Sequence, residues 1–398
     1  MPEIAEIARV VHFLRLHVVG KTITSAAAQE DANVFGKVGT SATEFTKAVK
    51  GKKVLSAGTQ GKYFWLVLDK SPHPVMHFGM TGWIHIRGEK TAYTNYYKKM
   101  KADEMDIWPP KFWKFQLDLS GGAQGKETAQ IAFTDPRRFG RVRLVDCPGA
   151  DIRKYSPLVE NGPDPVVDTD VFTEDYLKQK MRSRHVPIKA LLLDQTVISG
   201  IGNWVGDEVL FHAKLHPEQY CNDFSDESIS QLYRSIRYVC QLAVDKLGDS
   251  DEFPKDWLFN HRWGKGSKGG SRLPNGERLA FLTVGGRTSC YAPDIQKKSG
   301  NVAPGIKEEP LESEPDTSNP RKQARSKATK SKEDQPPIKR KKAVDDEKEK
   351  EKPAKKSKPE PTKSSTRTNK AKVEVKTETD VKVEAGRRRS GRLQGNSV

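Results

Sequence analysis

The sequence predicts an α+β body of about 300 residues joined to a disordered basic tail, and three observations carry that prediction. Apolar residues recur at helical spacing at the start of the chain and again between 173 and 247, while runs rich in β-branched and aromatic residues fill the stretch between. Every aromatic residue, including all seven tryptophans, lies at or before Tyr291. Residues 301–398 hold 27 Lys and Arg against 17 Asp and Glu, a net +10, without one Phe, Trp, Tyr, Met or Cys. Such a segment buries too little apolar surface to offset the entropy of ordering it, so it is expected to be disordered.

Residues 2–18 read as one helix. Pro2 suits a first helical position, and Ile4, Ile7, Ala8, Val11 and Leu14 follow at intervals of three and four. From about 22 to 146 come KYFWLVLD (62–69), PVMHF (74–78), GWIHIR (82–87), KFQLDL (114–119), QIAFTD (130–135) and GRVRLVD (140–146), bounded by Gly and Pro. That pattern predicts a β-sandwich or barrel. Pro157, Pro163 and Pro165 mark a linker, after which helical segments open near Thr173, Pro187, Asn203 and Ser225. The last has a capping Ser225, acids in its first turn, an apolar stripe from Ile229 to Ala243 and Gly248 at its end. RLAFLTV (278–284) and RTSCYA (287–292) form a hairpin beside a glycine- and cation-rich loop. The expected divisions are 1–150, 151–250, 251–299 and the tail, 300–398.

Composition narrows the function classes. No run approaches the ~18 apolar residues that span a bilayer, and the early acids of MPEIAEIARVV do not fit a signal peptide. Cys147, Cys221, Cys240 and Cys290 match neither a metal-knuckle spacing nor a disulfide framework, which suits a reducing compartment. With pI near 9.5, the expected partners are polyanions, nucleic acid first.

Five motifs have the residue types for chemistry. Removal of the initiator Met before the small Pro2 leaves a secondary α-amine, and α-amines titrate at ~7.7–8.0 against ~10.4 for lysine. Such an amine attacks a sugar carbon to give an iminium while Glu3 shuttles protons; the same pair also suits a plain helix start. In MHFGMTGW (76–83), Met80 tips a tight turn, either as a gap filler or as an apolar wedge that unstacks bases. FTDPRRFGRVRL (133–144) presents Arg137, Arg138 and Phe139 at a turn, suited to bases and phosphates or simply solvated. In LLLDQTVISGIGNWVGDEVLFHAKLHP (191–217), glycines precede Asn203 at a helix start, where free amides bind phosphate or merely join two helices. LTVGGRTSCYA (282–292) turns at Gly285-Gly286 and presents Arg287, a phosphate clamp.

The order of these motifs over about 290 residues resembles the formamidopyrimidine-DNA glycosylase family of base-excision repair enzymes. The resemblance implies an N-terminal β-sandwich, a helix–two-turn–helix domain and a β-hairpin finger, with damaged double-stranded DNA bound in the cleft by a monomer. It assigns Pro2 as the nucleophile on C1′, Glu3 as general acid/base, and Lys62 as a contact to phosphate beside the lesion. Glu6 keeps the acid of the N-terminal motif. His77 fits a further backbone contact. Met80, Arg137 and Phe139 match the trio that fills the hole left by the extruded base, with Arg137 facing the orphaned partner. Asn203 and Arg287 match the two arms that pinch the lesion's phosphate.

The sequence also departs from that pattern. Many members build the finger on four cysteines and zinc, but here Cys290 stands by itself, so the sequence resembles the zinc-free finger of plant and fungal members. No metal or cofactor is expected. Ala5 replaces a usual proline, and residues 258–280, where the loop over the flipped base is expected, differ from the bacterial pattern. PPIKRKKAV (336–344), PAKKSKP and GRRRSGR (386–392) are basic clusters of nuclear-import or nucleic-acid type, for contact with DNA or nuclear proteins. Ile306-Lys307, Val375-Lys376 and Val381-Lys382 open strings resembling sumoylation sites. The implied function is a bifunctional glycosylase/AP lyase for oxidised purines. The alternatives are a non-catalytic reader of damaged or bent DNA and a chromatin or RNA-binding protein.

Overall fold

The chain enters its fold through α1 (Ile4–His17), whose stripe of Ile7, Val10, Val11 and Leu14 is buried. Thr22 to Val145 then supply eight strands, six of them at the runs of bulky residues and the first two outside those runs. These are β1 (Thr22–Ala28), β2 (Val54–Gln60), β3 (Tyr63–Leu68), β4 (His73–His77), β5 (Trp83–Ile86), β6 (Trp113–Gly121), β7 (Glu127–Thr134) and β8 (Arg141–Val145). They pair antiparallel in two four-stranded sheets, ordered β1-β6-β7-β5 and β2-β3-β4-β8. Ile23, Phe64, Leu66, Met76, Phe78, Ile84, Phe115, Leu117 and Phe133 interlock as one core with the α1 stripe. Each fully buried side chain of this size contributes ~1.5–3 kcal/mol, which holds the sheets face to face. Of the two expected arrangements, the sandwich is the one found. The computed structural model describes residues 2–92, 107–121, 127–265 and 271–303. The tail expected to be disordered from 300 onward is ordered at its start, where the Tyr220 N–H donates to Asn301 C=O at 3.2 Å and the Ala303 N–H to Glu218 C=O at 3.0 Å. The rest of it, 304–398, with the import clusters and modification strings, lies outside the described residues.

One element inside the strand region is unexpected. α2 (Ala42–Val49) is helical because Ser41 Oγ accepts the Glu44 N–H at 3.1 Å, and Phe45 and Val49 plug the sandwich edge.

The helical part contains α3 (Glu174–Arg182), α4 (Ile188–Leu193), α5 (Asn203–His212) and α6 (Asp226–Asp245). Thr173 and Ser225 cap α3 and α6 through Tyr176 N–H (3.2 Å) and Ser228 N–H (3.3 Å), as their positions before periodic segments predict. Gly248 follows α6 at φ +66, a conformation that favours glycine. A second core joins Leu191, Leu192, Val205, Val209, Leu232, Ile236, Val239 and Trp257, and it includes Ile4 and Ala5. The N-terminus is thus packed into the helical half. β9 (Ala280–Val284) and β10 (Arg287–Tyr291) form the hairpin, with Gly285 and Gly286 at φ +59 and +71 as a two-residue turn of this twist requires. No helix among the described residues is long and apolar enough to cross a membrane.

Candidate active site and nucleic-acid interface

Glu3 organises the N-terminal cluster. Its carboxylate is buried and accepts three amides at the start of α5: Gly202 at 2.8 Å, Trp204 at 3.1 Å and Val205 at 3.1 Å. A carboxylate there sits at the positive end of the helix dipole. A Cβ on Gly202 would collide with that carboxyl, which is why the loop needs glycine. The Ile4 N–H donates to Gly200 C=O at 3.1 Å. From the other side Gly61, at φ +57, packs against Ser199 and Gly200, and its N–H donates to the buried Asp164 at 2.7 Å. These contacts bring the β2–β3 turn, which carries Lys62, against the chain start, where Pro2 is buried. Lys62 is also buried, and burial pulls its ammonium pKa down, against the opposing field of Glu3.

Glu6 stands directly behind. Its carboxyl accepts the Glu3 N–H at 2.8 Å and the Trp204 indole N–H at 3.1 Å. Burial, reinforced by the nearby Glu3 charge, raises its pKa to about 7.

The two predicted phosphate arms meet across α5 and the hairpin. Asn203 Nδ2 donates to Thr288 C=O at 2.9 Å, next to the exposed Arg287. Beneath them lies Asp207. It pairs with Lys189 and Arg262 at 2.5 Å each and accepts the Cys290 N–H of β10 at 3.1 Å. Lys189 also donates to Asn203 C=O at 2.7 Å. One buried carboxylate therefore joins α4, α5, the segment after Trp257 and the hairpin. Cys290 is buried in an apolar cluster with Leu258, Leu273 and Leu279, and burial pushes its thiol up to about 12. It is a protonated packing residue, unlike a metal ligand. No three His, Cys, Asp or Glu side chains converge as ligands among the described residues.

The wedge candidates lie at one end of the β1-β6-β7-β5 sheet. Asp135, fully buried just after β7, accepts Thr81 Oγ1–H at 2.6 Å, the Arg137 N–H at 3.1 Å and the Gly140 N–H at 2.6 Å. It therefore binds the turn holding half-buried Met80 to the turn holding Arg137 and Phe139. A Cβ on Gly79, at φ +62, would strike the Phe139 backbone, so the turns touch. The two arginines differ. Arg138 pairs with the buried Asp31 at 2.9 Å, whereas Arg137 is exposed with its guanidinium 5.0 Å from the Phe139 ring centroid. His77 links this rim to Lys62. Its Nδ1 accepts the Gly79 N–H at 3.0 Å, and burial, with the Lys62 and Arg141 charges, lowers its pKa to about 4. The ring is neutral with Nε2–H as a donor.

Sequence reading did not single out Asp135, Asp164, Lys189 or Asp207 as organising residues. Lys189 and Asp207 carried a visible signal, a charge inside the apolar runs PIKALLL and NWVGDEVLF. Asp164 gave none.

The chain is similar to known proteins over most of the described residues. The family model for the formamidopyrimidine-DNA glycosylase N-terminal domain matches residues 1–142, and that for its H2TH domain matches 161–253. The Arabidopsis thaliana formamidopyrimidine-DNA glycosylase is 37% identical over 303 residues, covering 76% of this chain and 73% of the relative. The Pelotomaculum thermopropionicum enzyme of that name is 30% identical over 313 residues, 75% of this chain and 99% of its own. A Lactococcus lactis Fpg in complex with a THF-DNA and an inhibitor superposes with TM-score 0.60 at 25% identity, covering 75% of this chain and all of that one. A MutM in complex with carbocyclic 8-oxo-G-containing DNA superposes at 0.59 with 26% identity, over 75% of this chain and all of that one.

Proposed function

Because the chain belongs to the formamidopyrimidine-DNA glycosylase family, we propose that it excises oxidised purines from duplex DNA and cleaves the strand at the resulting site. The observation that carries this reading is the convergence of Pro2, Glu3, Lys62 and the Asn203–Arg287 pair from four separate chain segments. With Met1 removed, the Pro2 nitrogen attacks C1′ and the base leaves with a proton. The Glu3 carboxylate takes the proton that the Pro2 nitrogen sheds after attack and returns it to O4′, so that ring opening gives the Pro2 iminium. Loss of the 2′ proton then expels the 3′ phosphate, and a second elimination expels the 5′ phosphate. Water hydrolyses the remaining iminium and frees Pro2.

The other residues hold the substrate open. Lys62, His77 Nε2–H, Asn203 and Arg287 provide donors for the phosphates around the extruded nucleotide. Met80, Arg137 and Phe139 fill the vacated stack, with Arg137 free to face the orphaned base because Asp31 occupies its neighbour. No step calls for a metal or cofactor. The enzyme acts as a monomer in the nucleus, with the basic tail supplying import signals and additional contacts. The proposed divisions remain 1–150, 151–250, 251–299 and 300–398.

Borohydride trapping on abasic DNA tests the proposal. The mature wild type should form a covalent adduct. Pro2→Gly, or a protein with a blocked N-terminus, should lose strand cleavage while keeping most binding, since phosphate contacts made elsewhere carry the affinity. A blocked protein that cleaves at the native rate would remove Pro2 as nucleophile. A wild type that binds lesions but never forms an adduct would instead be a non-catalytic reader.

A further inference from the structure

The corner built on Asp135 holds a further exposed side chain, Phe112, that the assigned roles leave without a task. The Asp135 N–H donates to Phe112 C=O at 3.1 Å, so the segment before β6 hangs on the same buried residue as the two wedge turns. Phe112 is 51% exposed and adopts φ +64, a left-handed conformation that a bulky L-residue rarely takes. Arg138 is also left-handed, at φ +58, but its ion pair with Asp31 offsets that conformation. At Phe112 the unfavourable backbone presents a ring to solvent. Bulky residues held in such conformations cluster at functional sites, and here the hydrogen bond from Asp135 holds the backbone while the ring stays in solvent. Lys111 stands over the ring, with Nζ 5.2 Å from the centroid, which repeats the Arg137–Phe139 pair at 5.0 Å.

Strand register fixes the order of these groups. Trp83 of β5 and Trp113 of β6 both pair with Thr134 of β7, so the turns of Met80, Arg137 and Phe112 lie in that sequence along one sheet end. Neighbouring strands are ~4.8 Å apart, which places Phe112 about one to two base steps beyond the Arg137 turn, at ~3.4 Å per step. In the roles proposed above, Met80 enters the gap left by the extruded base and Arg137 faces its orphaned partner, so continuing the line past Arg137 leads onto the undamaged strand. We propose that Lys111 and Phe112 form a second cation–aromatic contact, to the undamaged strand beside the base opposite the lesion. This contact rests on the damaged-DNA reading given above.

Phe112→Gly separates function from folding, because glycine accepts φ +64 without strain. The variant should melt at or above the wild-type temperature yet bind a duplex containing a tetrahydrofuran abasic analogue about 5- to 50-fold more weakly, as expected for one lost aromatic contact. Phe112→Ala should weaken binding similarly. Lys111→Ala should lower the slope of log affinity against log salt by about one. A 2-aminopurine in the undamaged strand, one or two positions from the base opposite the analogue, should change its fluorescence with wild type and not with Phe112→Gly. Binding by Phe112→Gly within twofold of wild type, or an unaltered 2-aminopurine response, would overturn the contact. The analogue is not cleaved, so this readout is independent of chemistry. An adduct assay on a separate abasic duplex reports whether the wild type is an enzyme at all, so failure of that reading is distinguishable from failure of the contact.

Discussion

At Glu6 a carboxyl group is kept from water between the Glu3 amide and the Trp204 indole, and ionising it there is costly. Its pKa is raised from the ordinary 4.5 to about 7, so between those values the folded protein holds a proton that the unfolded chain has released. Stability from this group is complete below about pH 4.5 and is lost as pH rises through 7. One such proton gives a slope of at most ~1.4 kcal/mol per pH unit. Urea unfolding between pH 5.5 and 8 should therefore show a declining contribution in wild type that Glu6→Gln, uncharged throughout, does not show. Parallel pH profiles for the two proteins would assign the proton elsewhere. Glu6 was legible only as part of a motif. Its buried environment depends on Trp204, 198 positions away, and no local pattern contains that distance. Pro2, Met80 and Arg137 could be proposed from the sequence because the chemistry asked of them is intrinsic to the residue and its immediate turn.

Among elements, legibility followed side-chain size. β3 to β8 announced themselves through runs of bulky residues, whereas β1, TITSAAA, and β2, VLSAGTQ, carry small residues and were not read as strands. α2 was hidden among strands, although Ser41 and Glu44 already formed a capping pair. The hairpin's turn was legible in Gly285-Gly286, but what fastens it was not. That fastening is Asp207, which leaves Lys189, itself fully buried, and Arg262 as uncompensated cations if removed. Asp207→Ala should cost about 3–5 kcal/mol in urea unfolding. Adding Lys189→Met should recover part of that loss, giving a non-zero coupling in the double-mutant cycle. Additive effects would mean that the pair does not interact. The same ion pairs and the apolar packing of Cys290 hold the hairpin, and with one cysteine in that region the expectation is that no metal is required. A chelator should leave both activity and melting temperature unchanged, and stoichiometric zinc in a chelator-washed sample would contradict this.

At the scale of the whole molecule, chemistry and charge are divided along the chain. Every residue assigned to the reaction or its DNA contacts lies at or before Arg287, while residues 301–398 carry +10 of the net +17. Removing 301–398 should leave excision and strand cleavage on short duplexes near native. The truncated protein should bind undamaged DNA more weakly, with a shallower slope of log affinity against log salt, because each phosphate the tail neutralises releases counterions. Nuclear enrichment should fall if KRKK and GRRRSGR act as import signals. Arg287→Ala in the full chain should do the reverse, reducing lesion processing while leaving the tail's share of non-specific binding intact. Equal salt slopes for the full and truncated proteins on one undamaged duplex would show that the tail does not touch DNA. Its basic clusters would then be left with import or protein partners, and the +7 of the body would have to supply the whole electrostatic attraction to the duplex.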